Sequence, residues 1–303
     1  MAACTCDYSL QNTGLPNCMP IQKYTQGVIF TPINDSTGTA NFITATANVN
    51  AAYITTKLNE TNASKRWFPL MNVKNATSEK GENITETFDD QSAFIIAEGI
   101  RSDMFLLVNQ SPTLVGKINS FQCEDMGVYY IDKAGVIVGM TDSSGNIFPI
   151  KIQKGTLSSI YTFPTSTTVP KITVKYQFEA DELDENLSLR SNTINWSTIN
   201  GLQDVNAVYT LPSTTTFVAA LTFDYGYANS KNIVTGLLAA DFTLYNVTDS
   251  LAVVIISCVE STTTKGTYTF TFAAQTSADV LRLSGSKSGF DFSKIEDSTV
   301  IVP

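Results

Sequence analysis

The sequence predicts a mainly β protein in two parts, on three observations. Short runs of β-branched and aromatic residues recur along the chain, each bounded by Gly, Asp, Asn or Ser clusters. One segment alone, from Pro112 to about Cys123, joins a helix start signal to apolar residues at helical spacing. Near Ser191 the composition changes, and beyond it charge is sparse and strand-like runs follow one another without a helix.

Taken in order, residues 27–32 read as an early strand ended by Pro32, with a turn at 34–38 and a return partner at 42–47. The long polar stretch from Thr55 to Asp90 reads as two extended arms of a large hairpin, with Lys80-Gly81-Glu82-Asn83 near its tip. Apolar runs at 93–98 and 103–108 flank Gly99-Ile100-Arg101-Ser102. Ser111 and Pro112 then look like an N-cap and first helical residue, followed by Leu114, Val115, Ile118 and Phe121. A hairpin meander comes next, with strands at 127–132, 136–140 and 147–152 and turns at 133–135 and 142–146. Strands at 159–163 and 171–178 follow, the second alternating as a half-buried strand should.

Residues 179–185, EADELDE, read as a solvated segment at a domain end. A calcium loop is the lesser reading, because Asp181, Glu182, Asp184 and Glu185 lack the D-x-D-x-D-G spacing. Strands are then expected at 207–211, 217–224, 242–246, 252–260, 266–272 and 280–283. Six or seven short strands without a helix fit an immunoglobulin-like β-sandwich over 192–303.

Composition narrows the chemistry. The 303 residues are 43% apolar and only 16% charged, enough apolar material for real cores. There is no histidine, which removes Ser-His-Asp and Cys-His nucleophile systems and H-E-x-x-H zinc sites. Nucleotide-binding glycine loops, G-x-S-x-G and EF-hand patterns are also missing, and Gly285-Ser286-Lys287-Ser288-Gly289 reads as a flexible turn. Asp89-Asp90 and Glu124-Asp125 are better explained as cap or turn residues than as a glycosidase pair. No catalytic residue, cofactor or metal is expected.

The net charge of −9 is spread over both halves, which argues against nucleic-acid binding. No stretch approaches the roughly 18 apolar residues needed to span a bilayer. The start, MAACTCDYSL, lacks a secretory pattern, so synthesis and first action are expected in a cytoplasm. The odd set Cys4, Cys6, Cys18, Cys123 and Cys258 reads mainly as free thiols. A disulfide from Cys18 to Cys4 or Cys6, or a thiolate metal site, is the lesser reading. Cys258 is expected in a core. Trp67, Trp196 and Tyr225-Gly226-Tyr227 could stack on sugars, with core packing the favoured role.

A resemblance runs through the middle of the chain. It lies in Arg66-Trp67-Phe68-Pro69, Glu86-Thr87-Phe88-Asp89-Asp90-Gln91-Ser92, Gly99-Ile100-Arg101-Ser102, the Ser111-Pro112 helix, Gly127-Val128-Tyr129-Tyr130-Ile131-Asp132-Lys133-Ala134-Gly135 and Phe148-Pro149-Ile150. In that order they resemble structural proteins of tailed bacteriophages, most closely the major tail tube proteins of long-tailed phages. Leu238-Ala239-Ala240-Asp241-Phe242-Thr243-Leu244 through Gly266-Thr267-Tyr268-Thr269-Phe270 resembles the Ig-like domains appended to phage tail and capsid proteins.

The resemblance implies a cysteine-bearing N-terminal arm at 1–20. A tail-tube-type β-barrel or sandwich with one flanking helix would follow at 21–191, carrying the long hairpin arm at about 55–90, then the Ig-like sandwich at 192–303. It further implies that the chain's main partner is itself. Six copies would form a ring, and stacked rings a conduit for DNA and the tape-measure protein, ending on tail-end proteins. The arm would reach a neighbouring ring, and an acidic lumen would let DNA pass without specific binding. The expected location is the virion tail, after assembly in the host cytoplasm, with no membrane insertion. The alternatives are a capsid decoration or fibre protein, also all-β, and a surface carbohydrate-binding adhesin, which the lack of an export signal disfavours.

Overall fold

Strand β1 (Thr25–Pro32) is the spine of the N-terminal half, because its run Val28-Ile29-Phe30 is apolar on both faces and is wholly buried. Val28 and Phe30 enter one core and Ile29 another on the opposite side, the alternation that a pleated strand imposes. The computed structural model describes residues 22–180, 184–192, 194–224 and 233–303. The N-terminal arm with Cys4, Cys6 and Cys18, the acidic residues Asp181 and Glu182, and the Tyr225-Gly226-Tyr227 triplet lie outside the described residues. The protein is mainly β, with 45% strand and 13% helix.

After β1 come α1 (Ala51–Leu58), β2 (Phe68–Met71), β3 (Lys74–Lys80), β4 (Ile84–Thr87), β5 (Ala93–Ala97), β6 (Arg101–Val108) and α2 (Thr113–Asn119). The meander β7 (Met126–Asp132), β8 (Ile137–Thr141), β9 (Ile147–Phe148) and β10 (Ile150–Lys151) follows, then β11 (Ser158–Thr162), β12 (Lys171–Gln177) and β13 (Leu187–Arg190). One antiparallel sheet runs β13-β8-β7-β1-β2, with β9 on β8 and β10 on β7. A second runs β11-β12-β6-β3. Between them lies a core of Val28, Phe30, Val128, Phe105, Leu107, Ile172, Val174 and Tyr176. The far face of the first sheet is sealed by Ile54, Leu58, Trp67 and Trp196.

Several expectations change here. Residues 42–47 are not the partner of β1, since both its edges are taken by β2 and β7; Ile43 only bridges Ile147. The expected hairpin from Thr55 to Asp90 begins instead with helix α1, so the helix after Pro112 is not the single flanking one. The Asn50 side chain accepts from the Tyr53 N–H at 2.9 Å, and Thr55 and Thr56 turn their hydroxyls back onto the Ala51 and Ala52 carbonyls. Ile54 and Leu58, four apart, bury the face that replaces strand propensity. Helix α2 forms where expected but starts at Thr113, with Pro112 rather than Ser111 as its N-cap, and runs on as a 3-10 turn over Ser120–Cys123.

The strand expected at 147–152 breaks at Pro149, which has no N–H to give to a ladder. Ile147-Phe148 pairs with β8 and Ile150-Lys151 with β7.

The C-terminal half contains β14 (Gln203–Thr210), β15 (Thr216–Phe223), β16 (Phe242–Asn246), β17 (Leu251–Val253), β18 (Ile255–Glu260), β19 (Thr267–Phe272), β20 (Val280–Gly285), β21 (Phe290–Asp291), α3 (Ser293–Glu296) and β22 (Thr299–Ile301). Sheet β18-β19-β15-β14 carries β21 parallel on β14 and faces sheet β17-β16-β20-β22. The run at 252–260 divides at Val254, where the chain leaves one sheet and enters the other. The expected absence of helix gives way to the single turn α3, whose Ile295 is fully buried.

The two halves keep separate cores. Ile194, Trp196 and Ile199 still pack under the first sheet, past the compositional break, and Val205 is the first residue of the C-terminal core. Their junction is polar. Lys117 of α2 reaches Asp204 at 2.5 Å, Arg66 pairs with Asp291, and the Gly289 N–H donates to Asn59 Oδ1 at 2.7 Å.

Candidate assembly surface

The feature that stands apart from both cores is the hairpin of β4 and β5. It forms a two-stranded sheet of its own, pairing Glu86 with Phe94 and Thr87 with Ala93, and neither outer edge is paired with a strand among the described residues. Every residue in the two strands is exposed. Ile84 and Ile95 are each 61% exposed, Ile96 63% and Phe94 53%. A lone two-stranded hairpin is marginal in water, and side chains of this size each forgo roughly 1.5–3 kcal/mol of burial when left in solvent.

The hairpin is nevertheless bonded at both ends. At the tip, the Phe88 N–H donates to the Ser92 carbonyl at 2.9 Å, and Asp90 Oδ1 accepts from the Ser92 N–H at 2.9 Å and its hydroxyl at 2.6 Å. The Ser92 bonds hold the Asp90 carboxyl below the usual range. Phe88 and Phe94 meet edge to face, with ring centres 5.7 Å apart. At the neck, Gly81 and Gly99 pack backbone to backbone, and a Cβ on Gly99 would lie 1.8 Å from the Gly81 carbonyl oxygen. Asn83 Oδ1 accepts from the Gly99 N–H at 2.9 Å, and Lys80 pairs with Glu98 at 2.6 Å.

The tip therefore lies at 88–92 and not at 80–83. The outgoing arm is β3 with β4, and the returning arm is β5 with β6. Glycine at 81 marks the close approach that separates arm from body, while the polar turn Asp89-Asp90-Gln91-Ser92 marks the reversal. That turn cluster, set between two strand-like runs, was the available signal for the tip.

The sheet that bears the arm ends on its other side in β11, where Asn119 of α2 accepts from the Ser159 N–H at 2.8 Å but other side chains stay open to solvent. Ile160 is exposed there, and beyond it Phe163 is 77% exposed with Val169 close by in sequence. Tyr161 and Phe163 stack edge to face, their ring centres 5.3 Å apart.

Beneath β3 sits a buried polar cluster. The Tyr130 hydroxyl donates to Asp103 and lies 2.6 Å from the Tyr176 hydroxyl. Burial pushes the Asp103 carboxyl up and drives both tyrosines well above their usual value. These groups tie β6, β7 and β12 together across the core, and Asp103 and Tyr176 also border an open surface hollow of about 620 Å³ with Glu79, Lys175 and Gln177.

The remaining sequence candidates are placed as follows. Trp67 and Trp196 are both buried, the Trp196 indole N–H donating to the Gly135 carbonyl and Asn192 Oδ1, so their part is packing. Cys123 is an exposed free thiol. Cys258 is half-buried against the C-terminal core, its thiol pushed up to about 12 chiefly by burial. Asp125 pairs with Lys154 at 3.0 Å. Among the described residues no group of three acidic or thiol side chains could hold a metal, and no helix is long and apolar enough to cross a membrane. No family model and no curated protein sequence matches the chain.

Proposed function

We propose that this protein is a structural subunit that polymerises with itself, as a tail tube protein of a long-tailed bacteriophage, stacking rings into a conduit for DNA. One observation carries the reading: a hairpin bearing exposed Ile84, Phe94, Ile95 and Ile96 projects from a sheet whose far strand exposes Ile160, with Phe163 just beyond it. Exposed strand edges with apolar side chains are the hazard that monomeric proteins suppress and assembling proteins use. The C-terminal strand order agrees with an immunoglobulin-like module appended to that subunit, in which strands one, two, six and five face strands four, three, seven and nine.

The test is sedimentation of purified protein over a wide concentration range, with negative-stain microscopy of the heavier fractions. Rings or tubes are the expected outcome. A monomer at every concentration overturns the proposal. Labelling intact particles separates the tail from the rival placement on the head.

A further inference from the structure

The two uncovered surfaces carry opposite charge. Residues 79–98 hold Glu79, Glu82, Glu86, Asp89, Asp90 and Glu98 against Lys80 alone. Residues 158–178, from β11 through β12, hold Lys171 and Lys175 and no acidic residue, while Lys151 and Lys154 before them pair with Glu179 and Asp125. The apolar groups sit inside these charges on both sides. In the hairpin, Glu86 is directly across from Phe94, and Asp89 follows Phe88. On the β11–β12 face, Ser158, Ile160 and Thr162 stand across from Lys175, Thr173 and Lys171, so the exposed Ile160 has a lysine on each diagonal of its own sheet face.

Position matters as much as charge. The sheet order β11-β12-β6-β3 puts the exposed Ile160 on the end strand β11 and the lysines on β12 beside it, while β3 and β6 lead into and out of the hairpin. A contact that joins different surfaces of two copies is head-to-tail, the kind that closes into a ring or continues as a helix.

We infer that the β4–β5 hairpin of one copy seats on the outer β11–β12 face of the next, its acidic apolar tip against the basic apolar patch of Ile160, Phe163, Lys171 and Lys175. This rests on the self-assembly proposed above and names the partner surface. Charge selects the right surface of the neighbour, and burial of the isoleucines and phenylalanines holds it.

The experiment uses two full-length double variants, Glu86→Lys with Asp89→Lys, and Lys171→Glu with Lys175→Glu. Each alone meets like charge at the contact and should lose at least about tenfold in assembled fraction. Mixed in equal amounts they should co-assemble, because the reversed hairpin fits the reversed face and the native hairpin fits the native face. Circular dichroism checks that each variant is folded, and Glu86→Gln with Asp89→Asn should fall between wild type and reversal. If wild type assembles and the reversals assemble as well as it does, the hairpin-to-face contact is wrong while self-assembly stands. Failure of the mixture to recover also overturns the contact. A wild type that stays monomeric overturns both and leaves the hairpin to a different partner.

Discussion

Strands β1 and β5 contain nearly the same kind of segment and meet opposite fates. Val28-Ile29-Phe30 is wholly buried, whereas Phe94-Ile95-Ile96 is exposed on both faces. Neither hydrophobicity nor strand propensity separates them. The difference lies in their neighbours: β1 has a strand on each side and a core on each face, while β5 has only β4. An apolar run states that something must cover it, and only the tertiary structure says whether that cover belongs to the same molecule.

The comparison is most sharply tested by truncating one aromatic in each strand. Phe30→Ala should destabilise the fold by about 3–5 kcal/mol, since it opens a cavity in a packed core. Chemical denaturation reads this directly, and a loss under about 1 kcal/mol would mean that β1 is not the spine described. Phe94→Ser with Ile96→Ser should leave the denaturation midpoint within about 0.5 kcal/mol of wild type, as surface changes do, while lowering the assembled fraction in sedimentation. Equal loss of stability in both strands would erase the distinction.

A subtler effect concerns pH. Burial raises Asp103, so the folded state holds its proton more tightly than the unfolded chain does. This contribution is complete below the unfolded value of about 3.9 and is lost as pH rises through the higher folded value. Asp103→Asn should flatten that part of the stability–pH curve, and an unchanged slope would show that Asp103 is not its source. The smallest effect belongs to the tip. Ser92→Ala removes one hydroxyl bond to Asp90 on an exposed turn, and should cost below about 1 kcal/mol while quickening amide exchange at residues 88–92.

Much of the body was legible because its signals are local. The turn at 133–135 is built as its residues suggest, with Asp132 Oδ1 accepting from the Ala134 and Val136 N–H groups and Gly135 at a positive φ of 84°. The alternation of 171–178 reappears as β12 with Ile172, Val174 and Tyr176 inward. Helix α1 was not legible, since Thr55 and Thr56 favour strands and its support comes from the packing of Ile54 and Leu58 into a core shared with Trp67 and Trp196. Of the candidate surface, the apolar run and the acidic residues could be read along the chain; their exposure, and the basic face on the same sheet, could not.

By itself the sequence determined many of the body's strands and turns, that histidine chemistry is impossible, and how acidic and lysine-bearing stretches are spaced. These depend on side-chain shape and on bonds within a few residues. The tertiary structure alone decided which apolar strands are enclosed, that residues 51–58 wind into a helix, and that the strands bearing the hairpin and the lysines of β12 belong to one sheet. Those outcomes depend on pairings between residues far apart in the chain, whose free energy no local window contains.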